Sequence, residues 1–170
     1  MEIISRKTVY DGHFKVGLLT LQDGNEQLKR ERFEPGTAVA ALVWDTRQGR
    51  YVLTRQYRVG PEAELVELAA GMVDGDETPE TAIRREIQEE LGYDVDRLEL
   101  IARIYPSPGN SAESITVFFA EVSHQSGQGG GLVEESEKIE PIILTHEQLL
   151  TLQFEDAKTI IAAQWAQLHR

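Results

Sequence analysis

Residues 71–93 read G-M-V-D-G-D-E-T-P-E-T-A-I-R-R-E-I-Q-E-E-L-G-Y, seven carboxylates in one short span. The stretch predicts a loop followed by a helix. Thr78 suits the N-cap, Pro79 the first helical position and Glu80 the positive end of the helix dipole. Gly92 is expected just past the C-terminus. Between them Ile83, Ile87 and Leu91 recur every four residues, forming one apolar stripe that has to face a core. Glu86 and Glu90 keep the same interval one position earlier, so both lie along one edge of the buried face. Like charges at that spacing repel, by a few tenths of a kcal/mol on an isolated helix. The arrangement calls for a cation, and clustered hard oxygens suit Mg2+ or Mn2+. A Glu-rich helix can also be a plain solvated face. Against that stands the whole pattern of Gly71, Glu77, Arg85-Glu86, Ile87, Glu89-Glu90 and Gly92.

Composition narrows the class. The 170 residues, 41% hydrophobic, can bury one compact domain plus a small addition. A net charge of −12 argues against duplex nucleic acid as a partner, which needs a basic face. An anionic substrate still fits if metal ions bridge it to the protein. Without cysteine there is no disulfide or thiolate chemistry. No apolar run reaches membrane-spanning length and no signal-peptide pattern opens the chain, so the expectation is a soluble, cytoplasmic protein with no membrane partner. His13, His124, His146 and His169 lack zinc-ligand spacing, and Ser107 and Ser111 lack a nucleophile-elbow pattern.

Around the acidic stretch the chain alternates strands and helices. Residues 2–10 and 14–22 look extended, and Asp23-Gly24-Asn25 turns into a third strand through Phe33. Pro35-Gly36 is the first clear break. Strands follow at Thr37 to Trp44, Tyr51 to Tyr57 and Leu65 to Ala69, then beyond the helix at Leu98 to Tyr105, Ile115 to Val122 and Ile139 to Leu144. Helices are expected near His146 to Leu152 and Glu155 to Leu168, the last with Ile161, Trp165 and Leu168 as its core or interface stripe. This order gives an α/β fold, an α/β/α sandwich with a mixed sheet. Residues 1–36 form a separate small antiparallel sheet and 37–170 the main domain. The glycine-rich Ser123 to Ser136 reads by composition as a flexible linker. Four acids, Glu134, Glu135, Glu137 and Glu140, lie at its end and directly after it, and a mobile acidic loop could bring a base to a water once substrate is bound.

Residues 71–92 resemble the signature of the Nudix hydrolases, with Tyr93 in place of the usual aliphatic residue. The resemblance implies the Nudix fold, and a loop–helix–loop whose glutamates bind metal ions that activate a nucleoside diphosphate linked to another group. It makes Glu86, Glu90 and the Ala70 carbonyl metal ligands, Glu89 a further ligand or close partner, and Arg85 an organiser paired with Glu77. The stretches Val52 to Val59, Glu67-Leu-Ala-Ala-Gly71, Tyr105-Pro-Ser-Pro-Gly109 and Asp156-Ala-Lys-Thr159 look like the ADP-ribose and GDP-mannose pyrophosphatases of that family. By that likeness Arg58 contacts substrate and Glu113 lies at the metal or sugar end. Glu137 is the general base and a possible ligand, with Glu134 and Glu135 as rivals. Lys158 reaches a phosphate or the sugar, or simply caps a solvent-facing helix. The implied reaction is Mg2+-dependent (or Mn2+-dependent) cleavage of ADP-ribose to AMP and ribose 5-phosphate, with GDP-mannose to GMP and mannose 1-phosphate as alternative. A sensing module that does not hydrolyse is a further alternative, although such modules usually lose a catalytic glutamate. The related enzymes are homodimers that exchange an N-terminal sheet, which would carry Lys29, Arg30 or Arg32 to the other subunit's substrate.

Overall fold

The computed structural model describes residues 1–131 and 138–170. They fall into two compact units: Met1–Thr37 with Tyr105–Ile115, and Ala38–Ile104 with Thr116–Arg170.

The first unit is an antiparallel sheet of β1 (Glu2–Asp11), β2 (Lys15–Asp23) and β3 (Glu26–Glu34). Asp23 pairs with Glu26 across the turn the sequence predicts there, and Lys15 with Glu34 at the far end. The segment 105–115 joins this unit at β3, where Phe33 N donates to Asn110 O at 2.8 Å and Ala112 N to Phe33 O at 2.9 Å. The Ser-Pro-Gly stretch and Glu113 therefore cluster with the N-terminal strands.

The second unit is built on a sheet ordered β10-β5-β4-β9-β8. Its strands are β4 (Thr37–Asp45), β5 (Arg50–Arg58), β8 (Tyr93–Ile104), β9 (Ser114–Gln125) and β10 (Glu140–Leu144). One further strand was expected at residues 65–69, but there are two: β6 (Ala63–Glu67) pairs with β5, and β7 (Ala69–Met72) with β4. The break falls at Leu68, whose backbone is satisfied by side chains instead of a ladder. Its N–H donates to Thr159 Oγ1 at 3.1 Å, and its carbonyl accepts from Thr54 Oγ1 at 3.3 Å.

Helix α1 (Pro79–Leu91) has the predicted ends. Thr78 Oγ1 accepts from Thr81 N, and Gly92 adopts a left-handed φ of 75° that a side chain would resist. Its stripe of Ile83, Ile87 and Leu91 packs with Val39, Ala41, Val43, Phe118, Ala120 and Val122 in one core. β4 is buried along both faces, as a central strand covered on each side must be. The opposite face carries α2 (His146–Thr151) and α3 (Ala157–His169), with Trp165 against Phe119 at 5.3 Å between ring centroids.

The stripe predicted on α3 is displaced. Its buried face is Lys158, Thr159, Ala162, Ala163 and Ala166, while Leu168 is 80% exposed. Small residues let this helix approach the sheet closely, so the large ones flank the contact. No helix among the described residues is long and apolar enough to cross a membrane.

Candidate active site

The carboxylates of α1 meet the strand just before it. A Cβ on Gly71 would lie 2.0 Å from Glu86 Cδ and Oε1. Only glycine lets the Glu86 carboxylate rest on the β7 backbone. One turn later, Glu90 Oε2 accepts from Ala70 N at 3.1 Å. These glutamates are 9% and 3% exposed, two nearly buried acids beside Ala70–Gly71.

Arg85 gathers the neighbouring acids. Its Nε and Nη2 form a two-pronged contact with Glu77, at 3.1 Å to each oxygen. Its Nη1 donates to Glu86 Oε1 at 2.7 Å and Glu89 Oε2 at 3.0 Å, and Nη2 donates also to the Met72 carbonyl at 3.0 Å. The Glu77 hydrogen bond, opposed in part by burial and reinforced by the charge of Glu86, holds the Arg85 pKa well above the ordinary arginine range. Arg85 in turn lowers the Glu77 carboxyl below the usual carboxylate range.

The donor set fits a divalent cation. Its oxygens are hard, and the Gly71 clearance brings Glu86 against a backbone that can add carbonyl oxygen. Glu86, Glu90 and the Ala70 carbonyl are the groups that could hold it. Among the described residues, no group of three or more His, Asp or Glu side chains is placed to share one ion. Glu137, expected as base and ligand, lies outside the described residues, as do Glu134 and Glu135.

Residues 126–131 of the glycine-rich segment close over the C-terminal end of α1, where composition alone suggested a linker. Ser126 N and Gly127 N donate to Gly92 O at 2.8 and 3.0 Å, Gly130 N to Glu90 O at 2.8 Å and Gly131 N to Glu89 O at 3.2 Å. Carbonyls that a helix end leaves without partners are thereby satisfied. The approach is close enough that a Cβ on Gly129, at φ +67°, would sit 2.5 Å from Glu90 O. Tyr93, the departure from the motif, is buried, and its hydroxyl donates to Asp45 Oδ2 at 3.1 Å. Burial, then the charge and hydrogen bond of Asp45, raise its pKa.

A second charged cluster joins β5, β6 and α3. Arg58 Nε donates to Glu67 Oε1 and Lys158 Nζ to Glu67 Oε2, each at 2.5 Å. Lys158 also donates to Asp156 Oδ1 at 3.0 Å, and Asp156 caps α3 by accepting from Thr159 N at 2.9 Å. Burial works against the Arg58 charge, but the hydrogen bond and charge of Glu67, with the charges of Glu90 and Asp156, raise its pKa overall. Arg58 thus feels the charge of one α1 carboxylate, Glu90. Lys158, expected to reach the substrate or to cap a solvent-facing helix, is a buried residue whose ammonium is ion-paired with Glu67 and Asp156, so the solvent-facing alternative does not hold. Glu67, Asp156 and Thr159 escaped the reading of site residues. An Asp at the start of an expected helix is a signal that could have found Asp156 as the N-cap, but nothing local pointed to Glu67.

The remaining expected site residues belong to the first unit. Lys29 lies opposite Thr20 and Arg30 opposite Leu19, with Arg30 Nη1 donating to the Lys29 carbonyl at 2.8 Å. Glu113 N donates to Ser111 Oγ at 3.1 Å.

Known proteins similar to this chain place it in a family. Residues 34–164 match the family model described as NUDIX domain. The chain is 35% identical to a GDP-mannose pyrophosphatase of Cronobacter sakazakii, over 99% of this chain and 95% of that one. It is 31% identical to an ADP-ribose pyrophosphatase of Escherichia coli, over 99% and 88%. In fold it is similar to a crystal structure titled ADP compounds hydrolase, with TM-score 0.78, 22% identity and coverage of 98% of this chain and 94% of that one.

Proposed function

This chain belongs to the Nudix family of hydrolases, and we propose that it cleaves the pyrophosphate bond of a nucleoside diphosphate sugar. ADP-ribose, giving AMP and ribose 5-phosphate, is the leading substrate. GDP-mannose, giving GMP and mannose 1-phosphate, is kept as the second because full-length relatives carry that activity in their names. The observation that carries the reading is the seating of Glu86 on Gly71 and of Glu90 under the Ala70 amide, with Arg58 coupled to Glu90.

Nudix pyrophosphatases generally use divalent metal ions, and we assign Mg2+ or Mn2+ to Glu86, Glu90 and the Ala70 carbonyl. When bound, such ions neutralise the diphosphate and lower the pKa of a coordinated water. The chain's own groups do the rest. Arg85 fixes the spacing of Glu86 and Glu89, and Arg58 offers a planar fork to phosphate oxygens. Glu137 takes the proton of the attacking water. Glu113 attends the sugar or metal end of the substrate.

The N-terminal sheet is read as a dimer element that delivers Lys29 and Arg30 to the partner's substrate. It exposes Ile4, Val9, Tyr10 and Phe14, and β1 is open to solvent along almost its whole length. The compartment in keeping with this chemistry is the cytoplasm.

The test is incubation with Mg2+ and each nucleotide sugar, with chromatographic identification of products. Nucleoside monophosphate and sugar phosphate in equal amounts are expected. No cleavage of either substrate would leave a sensing module as the better account. Light scattering at micromolar concentration addresses the dimer, and a fully active monomer would remove it.

A further inference from the structure

We propose that Glu67 is a positioning residue that acts through Arg58, aiming its guanidinium at the substrate diphosphate, and that Lys158 serves Glu67 and not the substrate. This rests on the reading of Arg58 as a phosphate contact. Glu67 is 1% exposed, where a lone carboxylate would be very costly. Each of its oxygens takes one cation, Arg58 Nε on Oε1 and Lys158 Nζ on Oε2. Engaging Nε fixes the guanidinium plane from the side. The Nη edge is then the one that a pair of phosphate oxygens can take.

Two features make this an aiming device. The first is rigidity. The Glu67 carbonyl accepts from Thr54 Oγ1 at 3.1 Å, and the next residue, Leu68, is held by Thr159, itself bonded to Asp156 through N and Oγ1 at 2.9 and 2.6 Å. The second is charge sharing. Facing Arg58 alone, Glu67 would largely cancel the positive charge that a diphosphate needs. Lys158 takes part of the Glu67 charge, and Asp156 balances Lys158 from the far side. Arg58, with 38% of its side chain exposed, keeps attraction for an anion while being held in one orientation.

The experiment compares steady-state KM and kcat with Mg2+, and metal-free binding of ADP-ribose and of GDP-mannose by calorimetry. The variants are Glu67→Gln, Arg58→Ala, the two together, and Glu67→Gln with Lys158→Met. Removing the aiming contact should raise KM and weaken binding about tenfold or more, with kcat changed less. In an Arg58→Ala background, Glu67→Gln should add nothing. The pair Glu67→Gln with Lys158→Met removes both charges of the Glu67–Lys158 contact, leaving Asp156 to its hydrogen bonds from Thr159, so it keeps the test open if Glu67→Gln alone fails to fold. It should show the same raised KM.

Unmodified KM in that pair, alongside a raised KM in Arg58→Ala, would overturn the role of Glu67, as would effects of Glu67→Gln and Arg58→Ala that multiply. Unmodified KM in Arg58→Ala would instead overturn the Arg58 contact and the aiming role with it. Failure of the unmodified protein to bind or cleave either compound would strike the proposed function itself.

Discussion

Two charged clusters in the second unit are built on opposite plans. Around Arg85 one cation stands among Asp74, Glu77, Glu86 and Glu89, with Glu90 one turn away. Around Glu67 two cations, Arg58 and Lys158, face two carboxylates, Glu67 and Asp156. Among the described residues the first gathers more carboxylates than cations around Arg85, an excess that a bound divalent cation would offset. The second is balanced, so it can be buried without any ligand. On the proposed reading, one cluster recruits a cation and the other holds a side chain still.

Substitutions can break this contrast, beginning with the largest effect. Glu86→Gln or Glu90→Gln should lower turnover about a hundredfold or more, with circular dichroism unchanged, because each removes a ligand charge and keeps the shape. Near-normal rates with Mg2+ in both would remove the metal assignment. In the balanced cluster the loss should appear as stability. Lys158→Met leaves Glu67 short of a partner in a buried place and should cost about 3 kcal/mol in denaturant unfolding, part of which Glu67→Gln in the same chain restores. Gly129→Ala forces a side chain into a left-handed turn against the end of α1 and should cost about 2 kcal/mol. An unchanged unfolding midpoint would show that the glycine segment does not clamp the helix.

The smallest effect is at Tyr93. Tyr93→Phe leaves Asp45 Oδ2 without that donor and should cost about 1 kcal/mol. It also carries a pH signature. The folded pKa lies above the reference 10.0, so Tyr93 supports the fold fully below pH 10 and loses that contribution as pH rises through its folded value. The alkaline fall in stability should therefore be shallower in Tyr93→Phe.

The unbalanced cluster was legible in the sequence, and the balanced one was not. Glu86 and Glu90 are one helical turn apart and Arg85 is adjacent, so chain spacing alone places them together. The pairing of Glu67 with Lys158 spans 91 residues and depends on how α3 settles on the sheet. That placement was itself hidden, because α3 packs through Thr159, Ala162, Ala163 and Ala166, small residues that carry less apolar surface than Ile161, Trp165 and Leu168. The order of strands and helices followed from periodicity and turn residues. The split at Leu68 did not, since two threonine hydroxyls from distant positions satisfy its backbone. In the glycine-rich segment, composition reports freedom in the unfolded chain, whereas residues 126–131 use that freedom for a close approach to the carbonyls of Glu89, Glu90 and Gly92.

The contrast between the clusters is tested most directly by Mn2+ binding in the absence of substrate, followed by electron paramagnetic resonance. The unmodified protein and Glu67→Gln with Lys158→Met should bind Mn2+ alike, whereas Glu86→Gln and Glu90→Gln should each weaken binding about tenfold or more. Equal Mn2+ affinity in all four proteins would contradict the account, because the excess charge on α1 would then hold no metal.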